Sequence, residues 1–284
     1  MGKTTGISWT DATFNPWWGC TRVSEACRNC YAETFAKRVG QKVWGVQAER
    51  RFFGDKHWND PLRWNGAAKS FGREPFGGAR HERPRVFCAS MADVFEGRAD
   101  LDPQRRRLWE LIDRCDALDW LLLTKRPENI AKMLPTSWLS SPRPHVWLGT
   151  TVEDQGCANT RIPHLLDVRA AVHFLSVEPM LEPIDVESSP RLHVGAGGRV
   201  DWIIVGGESG GKHYRVMDHA WARFMRDQAH DIGAAFLFKQ SSGFLTGADP
   251  WLVEADGSRF AWHQFPKTPF NPAGTFTAPE RIAA

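Results

Sequence analysis

A short apolar run that ends in polar or glycine-rich sequence recurs along the chain, and it restricts the fold more than any other feature. Such runs occupy residues 85–89, 119–123, 145–148, 171–175, 201–205 and 235–238, each four or five residues long and rich in β-branched or aromatic types. Runs of this length and composition suit strands buried on both faces, as in a parallel sheet. An earlier short strand is expected at 6–9. Helix-length stretches lie between the runs. Asp102 and Pro103 open one as N-cap and first helical residue, and it continues through Leu108, Leu111, Ile112 and Cys115 at three-four spacing. Residues 127–134, 154–166 and 219–232 read the same way. Strand alternating with helix about seven times predicts an α/β fold, either a doubly wound sheet or a partial or complete TIM-like (β/α) barrel of about six to eight parallel strands.

The same rhythm divides the chain. Residues 41–83 interrupt it and are expected to be an insertion, so residues 1–242 form the barrel. The segment 243–284 carries Pro250, Pro266, Pro269, Pro272 and Pro279, and is expected to pack on the barrel as an irregular C-terminal extension. The 284 residues are ample for a buried core.

Charge is unevenly spread. The net charge is +3, but residues 37–85 hold twelve Lys/Arg against five Asp/Glu, an excess of +7 that leaves −4 for the rest. Trp44, Phe52, Phe53, Trp58, Trp64 and Phe71 are interleaved with these cations. Basic residues among aromatics suit a phosphate backbone and stacked bases; the plainer reading is a solvated loop with a few core anchors. Residues 1–6 contain no apolar run of signal-peptide length. No stretch approaches the ~20 apolar residues of a membrane span, so the expected location is the cytoplasm. Cysteines there are reduced and favour metal ligation or catalysis over disulfides.

Three of the six cysteines fall close together, Cys20, Cys27 and Cys30, while Cys88, Cys115 and Cys157 are scattered singly and read as buried small hydrophobes. A structural zinc site usually closes with four ligands, whereas three protein ligands leave a metal position open for chemistry. The polar residues just past each apolar run complete the picture, because functional groups of parallel α/β folds gather at the carboxyl ends of strands. They are Ser90, Met91 and Asp93; Thr124, Lys125 and Arg126; Thr150, Thr151 and Glu153; Ser176 and Glu178; the turn 206–210; and Lys239 with Gln240. Glu178 and Glu208 follow buried runs so closely that their carboxylates need a cation or a ligand. Lys125, Arg126 and Lys239 are candidate partners within the chain. Gly206 and Gly207 allow backbone to approach a ligand closely. That turn lacks the G-x-G-x-x-G of a dinucleotide site and the G-K-[ST] of a Walker loop.

Three clustered cysteines after the first strand of a βα barrel resemble the radical S-adenosylmethionine enzymes. The resemblance implies that Cys20, Cys27 and Cys30 hold a 4Fe–4S cluster whose fourth iron binds the amino and carboxylate groups of S-adenosyl-L-methionine. It also implies that a Gly-Gly-Glu turn, here Gly206, Gly207 and Glu208, contacts the cofactor's amino group. The chain departs from that superfamily in three ways. Its cysteine spacing is six then two rather than three then two, and its Gly-Gly-Glu follows about the sixth strand rather than the second. The aromatic usually found before the third cysteine is Asn29 here, with Tyr31 just after. The segments 7–16, 19–32, 123–127, 176–181, 205–210 and 238–240 are similar to those of a phage-associated family of unknown function, over residues 5–242. Some phage radical enzymes of this kind help to hypermodify thymine in phage DNA.

The resemblance therefore implies a cytoplasmic iron–sulfur enzyme. It would generate a 5′-deoxyadenosyl radical with electrons from an external one-electron donor, and modify or isomerise a nucleobase in DNA. Tyr31, Ser90, Asp93, Glu178, Gly206, Gly207 and Glu208 are the expected cofactor contacts. Lys125, Glu153 and Lys239 are the expected catalytic groups. The alternative is a nucleic-acid-binding protein whose zinc is closed by a fourth Cys or His. A metal-dependent hydrolase is disfavoured, since the ten histidines show no H-x-x-x-H or H-E-x-x-H spacing.

Overall fold

Strands buried on both faces need helices on one side and a filler on the other, and this chain supplies both. The computed structural model describes residues 5–71, 83–189, 198–269, 271–275 and 278–282. The first elements are β1 (Ala12–Thr13), β2 (Trp17–Trp18), α1 (Tyr31–Arg38), β3 (Arg51–Phe52), α2 (Asp55–Trp58) and α3 (Asp60–Phe71). There follow β4 (Arg85–Cys88), α4 (Asp102–Arg114), β5 (Asp119–Thr124), α5 (Ile130–Met133), α6 (Thr136–Ser140), β6 (Val146–Thr151) and α7 (Gln155–Leu166). The chain continues through β7 (Val172–Val177), β8 (Trp202–Gly206), α8 (His219–Asp231), β9 (Ala235–Gln240), β10 (Leu252–Val253), β11 (Arg259–Ala261) and β12 (Glu280–Ile282).

Seven strands form one parallel sheet in the order β1-β4-β5-β6-β7-β8-β9, curved into a half-barrel. The partial barrel expected from the sequence is thus present, with β1 and β9 as its two unjoined edges. Alternation of side chains decides which residues face where. Val86, Trp120, Leu122, Leu148, Leu175, Ile203 and Phe236 point outward and share the main core with Leu108 and Ile112 of α4, Ile162 of α7 and Met225 of α8. Phe87, Leu121, Trp147, Phe174, Trp202, Ile204 and Leu237 face inward and fill the half-barrel together with Trp9. Trp202 meets Trp9 and Trp147 edge-on, with ring centres 6.3 and 6.1 Å apart.

The expected strand at 6–9 is not formed. Residues 8 and 9 lie in a turn, and the first strand is β1. The apolar character of Ile7 and Trp9 reflects their place in the interior filling. Helix α4 starts at Asp102 with Leu101 as N-cap, one residue earlier than expected, and Pro103 sits in its first turn. The stretch 127–134 is a single 3-10 turn followed by the short α5. Asp154 caps α7 as its position suggested, its Oδ1 accepting from the Cys157 N–H at 2.7 Å.

The expected insertion carries its own structure. Strand β3 pairs antiparallel with β2, and Trp58 of α2 and Trp64 of α3 are buried in the main core. Residues 73, 74, 80 and 82 of the basic segment lie outside the described residues. Cys88 and Cys115 are fully buried, as expected, whereas Cys157 is half-buried. The C-terminal extension is more regular than its prolines suggested. β10, β11 and β12 make a small antiparallel sheet. Backbone bonds from Phe238 N to Trp262 O (2.9 Å) and from Gln264 N to Phe236 O (3.0 Å) cover the edge of β9. An open edge strand is otherwise a template for unwanted pairing. No helix among the described residues is long and apolar enough to cross a membrane.

One glycine is dictated by the interior filling. A Cβ at Gly149, in the middle of β6, would lie 2.3 Å from the ring of Phe174 on the neighbouring strand. Gly149→Ala should therefore cost about 1–3 kcal/mol through overpacking. Urea denaturation should show a lower midpoint with an unchanged slope, and Phe174→Leu should restore part of the loss. Full stability of Gly149→Ala would contradict this packing.

Candidate active site

The site begins with the chain's path between β2 and α1. Gly19 has φ +117°, a conformation that L side chains rarely adopt, and a Cβ there would meet the Val43 carbonyl oxygen at 2.3 Å. Cys20 follows it directly. Cys27 ends a 3-10 turn, Glu25–Cys27, and Cys30 is the N-cap of α1. The three thiols line one cavity of about 190 Å³ at the carboxyl end of the half-barrel.

The opposite walls come from the inward-facing positions of the strands. The alternation that buries Leu121, Trp147, Phe174, Trp202 and Leu237 brings Lys125, Thr151, Ser176 with Glu178, Glu208 and Lys239 to the same face, above the aromatic filling. Tyr31, Ser90, Asp93 and Gly207 complete the cavity, so eleven of the thirteen residues proposed from the sequence line it. The other two are Gly206 and Glu153. A Cβ at Gly206 would lie 3.3 Å from the Glu178 carboxyl carbon, so this glycine seats Glu178. Glu153 is 0 % exposed and lies behind the wall. It ion-pairs with Arg161, accepts from Lys125 Nζ at 2.9 Å and accepts from Ser24 Oγ at 2.6 Å. Glu153 therefore does not face the cavity, contrary to its expected place among the groups there, and instead braces Lys125 from behind. Burial alone would raise its carboxyl, but Lys125 and Arg161 hold it below the usual carboxylate range.

Each remaining carboxylate has a cationic partner. Glu178 pairs with Lys239, both partly exposed on the cavity wall. Glu208 accepts from Asn29 Nδ2 at 2.9 Å, from the Arg215 N–H at 2.8 Å and from Arg215 Nε at 3.0 Å. It thus ties the loop after β8 to the residue before Cys30. Burial would raise this carboxyl too, but the bonds from Arg215 and Asn29 lower it. Tyr31 donates from its hydroxyl to the Ser90 carbonyl at 3.0 Å.

Two buried arginines hold the cysteine loop; Arg126 is a candidate carboxylate partner in the sequence, whereas Arg50 is not. Arg50, from the insertion, is fully buried against Glu96 in a two-pronged pair at 3.1 and 2.7 Å. It also donates to the Val43, Gly45 and Ala48 carbonyls and, at 2.9 Å, to Thr21 Oγ1. Arg126 donates to Asp93 Oδ2 at 2.8 Å, to the Thr21 carbonyl at 2.6 Å and to Cys20 Sγ at 3.7 Å. Nothing local marks Arg50 as internal; its neighbour Arg51 is exposed.

The thiols are shielded. Burial pushes Cys20 up to about 12, aided by Asp93 and opposed by Arg126. Burial also raises Cys30, opposed by the backbone N–H groups of Glu33 and Ala32 at the start of α1. Among the described residues, no group of three or more His, Cys, Asp or Glu is placed to hold a metal ion. Among the described residues, no histidine and no fourth cysteine lines the cavity. The sulfur donors on its walls are the thiols of Cys20, Cys27 and Cys30, and soft thiolate ligands suit an iron–sulfur group as they suit zinc.

The model of one protein family, described as a protein of unknown function (DUF5131), matches residues 4–267. The chain belongs to this family. No curated protein and no solved structure matches it.

Two measurements follow from this geometry. Removing one partner of the Arg50–Glu96 pair leaves a buried charge alone, so Arg50→Met should cost about 3–5 kcal/mol in urea denaturation. A loss below about 1 kcal/mol, the worth of an exposed pair, would contradict the anchoring role. The second concerns acid. Glu153 and Glu208 are lowered in the folded chain, so the stability they contribute is present above the unfolded carboxylate value of about 4.3. It is lost as pH falls through their folded values. Glu208→Gln should flatten the fall in stability below about pH 4.3, and an unchanged pH profile would rule this out.

Proposed function

We propose that this chain is a radical S-adenosylmethionine enzyme that modifies or isomerises a nucleobase, such as a hypermodified thymine of phage DNA. One observation carries the reading. Three thiols share a cavity at the carboxyl end of a parallel half-barrel, facing an ion pair and a glycine turn, with no fourth Cys or His on its walls among the described residues. Cys20, Cys27 and Cys30 would hold a 4Fe–4S cluster, leaving one iron for S-adenosyl-L-methionine. When bound, the cluster and cofactor would supply, with one electron from an external donor, reductive cleavage to methionine and a 5′-deoxyadenosyl radical able to take a hydrogen atom from the substrate.

The chain's own residues supply position and charge. Glu178 and Lys239 present opposite charges side by side, suited to the ammonium and carboxylate of an amino-acid group. Gly207 packs against Ser242 and keeps its backbone beside them. Glu208 fixes Asn29 and with it the Cys30 end of the loop. Lys125, braced by Glu153, offers an ammonium proton at the cavity wall. The aromatic filling below excludes water from the floor.

A nucleic-acid substrate is supported by the face that carries α1 and β3. Arg38, Lys42, Arg51 and Lys56 are exposed and have no ion pair among the described residues. Arg38 lies 5.3 Å over Phe35 and Arg51 lies 5.0 Å over Trp18, while Phe52 is 43 % exposed beside them. Trp18 is itself buried, so the exposed rings beside these cations are Phe35 and Phe52; cations among exposed rings suit phosphates and bases.

The test is anaerobic reconstitution. The protein should take up about four irons per chain and turn brown. With S-adenosyl-L-methionine and dithionite it should release methionine and 5′-deoxyadenosine. Cys27→Ala should abolish both, and added phage DNA should yield an altered nucleoside by mass spectrometry. A colourless protein with one zinc and no 5′-deoxyadenosine would overturn the proposal.

A further inference from the structure

We infer that Arg126 and Asp93 form a buried charge pair that sets the reduction potential of whatever iron–sulfur group Cys20 ligates. The inference rests on the reading of the cysteines given above, and it assigns roles that neither the sequence motifs nor the family description contains.

Arg126 follows β5, and its side chain points at the cysteine loop. Its Nη1 donates both to Asp93 Oδ2 at 2.8 Å and to Cys20 Sγ at 3.7 Å, and its Nη2 donates to the Thr21 carbonyl at 2.6 Å. Arg126 and Asp93 keep only 9 % and 7 % of their side-chain surface exposed. Asp93 is itself fixed by Thr124 Oγ1 at 2.7 Å and by the backbone N–H groups of Phe95 at 3.0 Å and Lys125 at 3.2 Å. The guanidinium is therefore held against one sulfur by partners on two elements. Among the described residues, neither Cys27 nor Cys30 has a cationic hydrogen-bond donor: Cys27 meets the Ser24 hydroxyl at 3.8 Å, and Cys30 lies at the start of α1, so Arg22 and Lys125 act on them only through the field and not through a bond.

This asymmetry has an electrostatic consequence. Reduction adds one negative charge to an iron–sulfur group, and a hydrogen bond or positive charge at a ligating sulfur favours the reduced state and raises the potential. Asp93 acts in the opposite direction, because its carboxylate faces the same sulfur across the guanidinium. The pair sets a balance from which each partner can be removed separately. A purely structural role predicts no such opposition, since losing either partner would only loosen the loop.

The experiment compares the reconstituted full chain with Arg126→Gln, Arg126→Lys and Asp93→Asn by electron paramagnetic resonance during a redox titration. Iron content and thermal melts run in parallel. Arg126→Gln should lower the midpoint potential and slow reduction by dithionite. Asp93→Asn keeps an acceptor for Thr124 and Phe95 but loses the negative charge, so it should raise the midpoint. Arg126→Lys retains the cation and should fall between native and Arg126→Gln, and it serves if Arg126→Gln does not fold. Equal midpoints in all forms that carry iron, or a shift of the same sign for Arg126→Gln and Asp93→Asn, would overturn the inference alone. A native chain that takes up no iron would overturn the reading of the cysteines and this inference with it.

Discussion

Seven parallel strands with one inward face impose a period of two, and the site depends on that constraint. The same alternation that sends Leu121, Trp147, Phe174, Trp202 and Leu237 into the half-barrel delivers Lys125, Thr151, Glu178, Glu208 and Lys239 one to three steps later to the space above them. A slip of one residue in any strand would exchange its polar end for an outward one and bury a charge among the helices. Aromatic filling and polar rim are thus two ends of one pattern. The filling holds the register that the rim requires, and Gly149 marks how closely it is packed.

The cysteine loop is not part of that sheet, and it is fixed by other means. Arg50 reaches from the insertion and Arg126 from the end of β5, and both bind Thr21, the residue after Cys20. Each guanidinium is neutralised by one buried carboxylate, Glu96 and Asp93 respectively. Such pairs add little net stability compared with apolar packing, but losing one partner is costly, so they favour one loop geometry over others. On the far side, Asn29 and Arg215 converge on Glu208 and close the loop against the turn after β8. The loop is held at both ends by charge pairs made within the protein, and its three sulfurs face the cavity.

Much of this was legible in the sequence, for physical reasons that can be named. Buried parallel strands read as apolar runs, so β4 to β9 emerged near their true limits, and the polar residues past each run found the cavity. The strand expected at 6–9 failed because Ile7 and Trp9 are apolar as filling, and composition does not separate a filler from a short strand. The insertion misled through its charge. Arg50 is internal, and Trp58 and Trp64 are core residues, so the basic, aromatic composition mixes an anchor with an exposed face. Glu153 was placed at the rim by its position after β6, yet Arg161, six residues into α7, draws it inward; that pairing depends on how the helix packs.

If Cys20, Cys27 and Cys30 hold a cluster as proposed, three thiols on one wall leave a coordination position for an amino-acid chelator. The most direct measurement is the electron paramagnetic resonance spectrum of the reduced, reconstituted protein with and without S-adenosyl-L-methionine. The account predicts that the cofactor shifts the g-values of the cluster signal, and that carboxylate-labelled cofactor gives hyperfine coupling to it. A cluster signal that S-adenosyl-L-methionine leaves unchanged would contradict an open iron and with it the proposed chemistry.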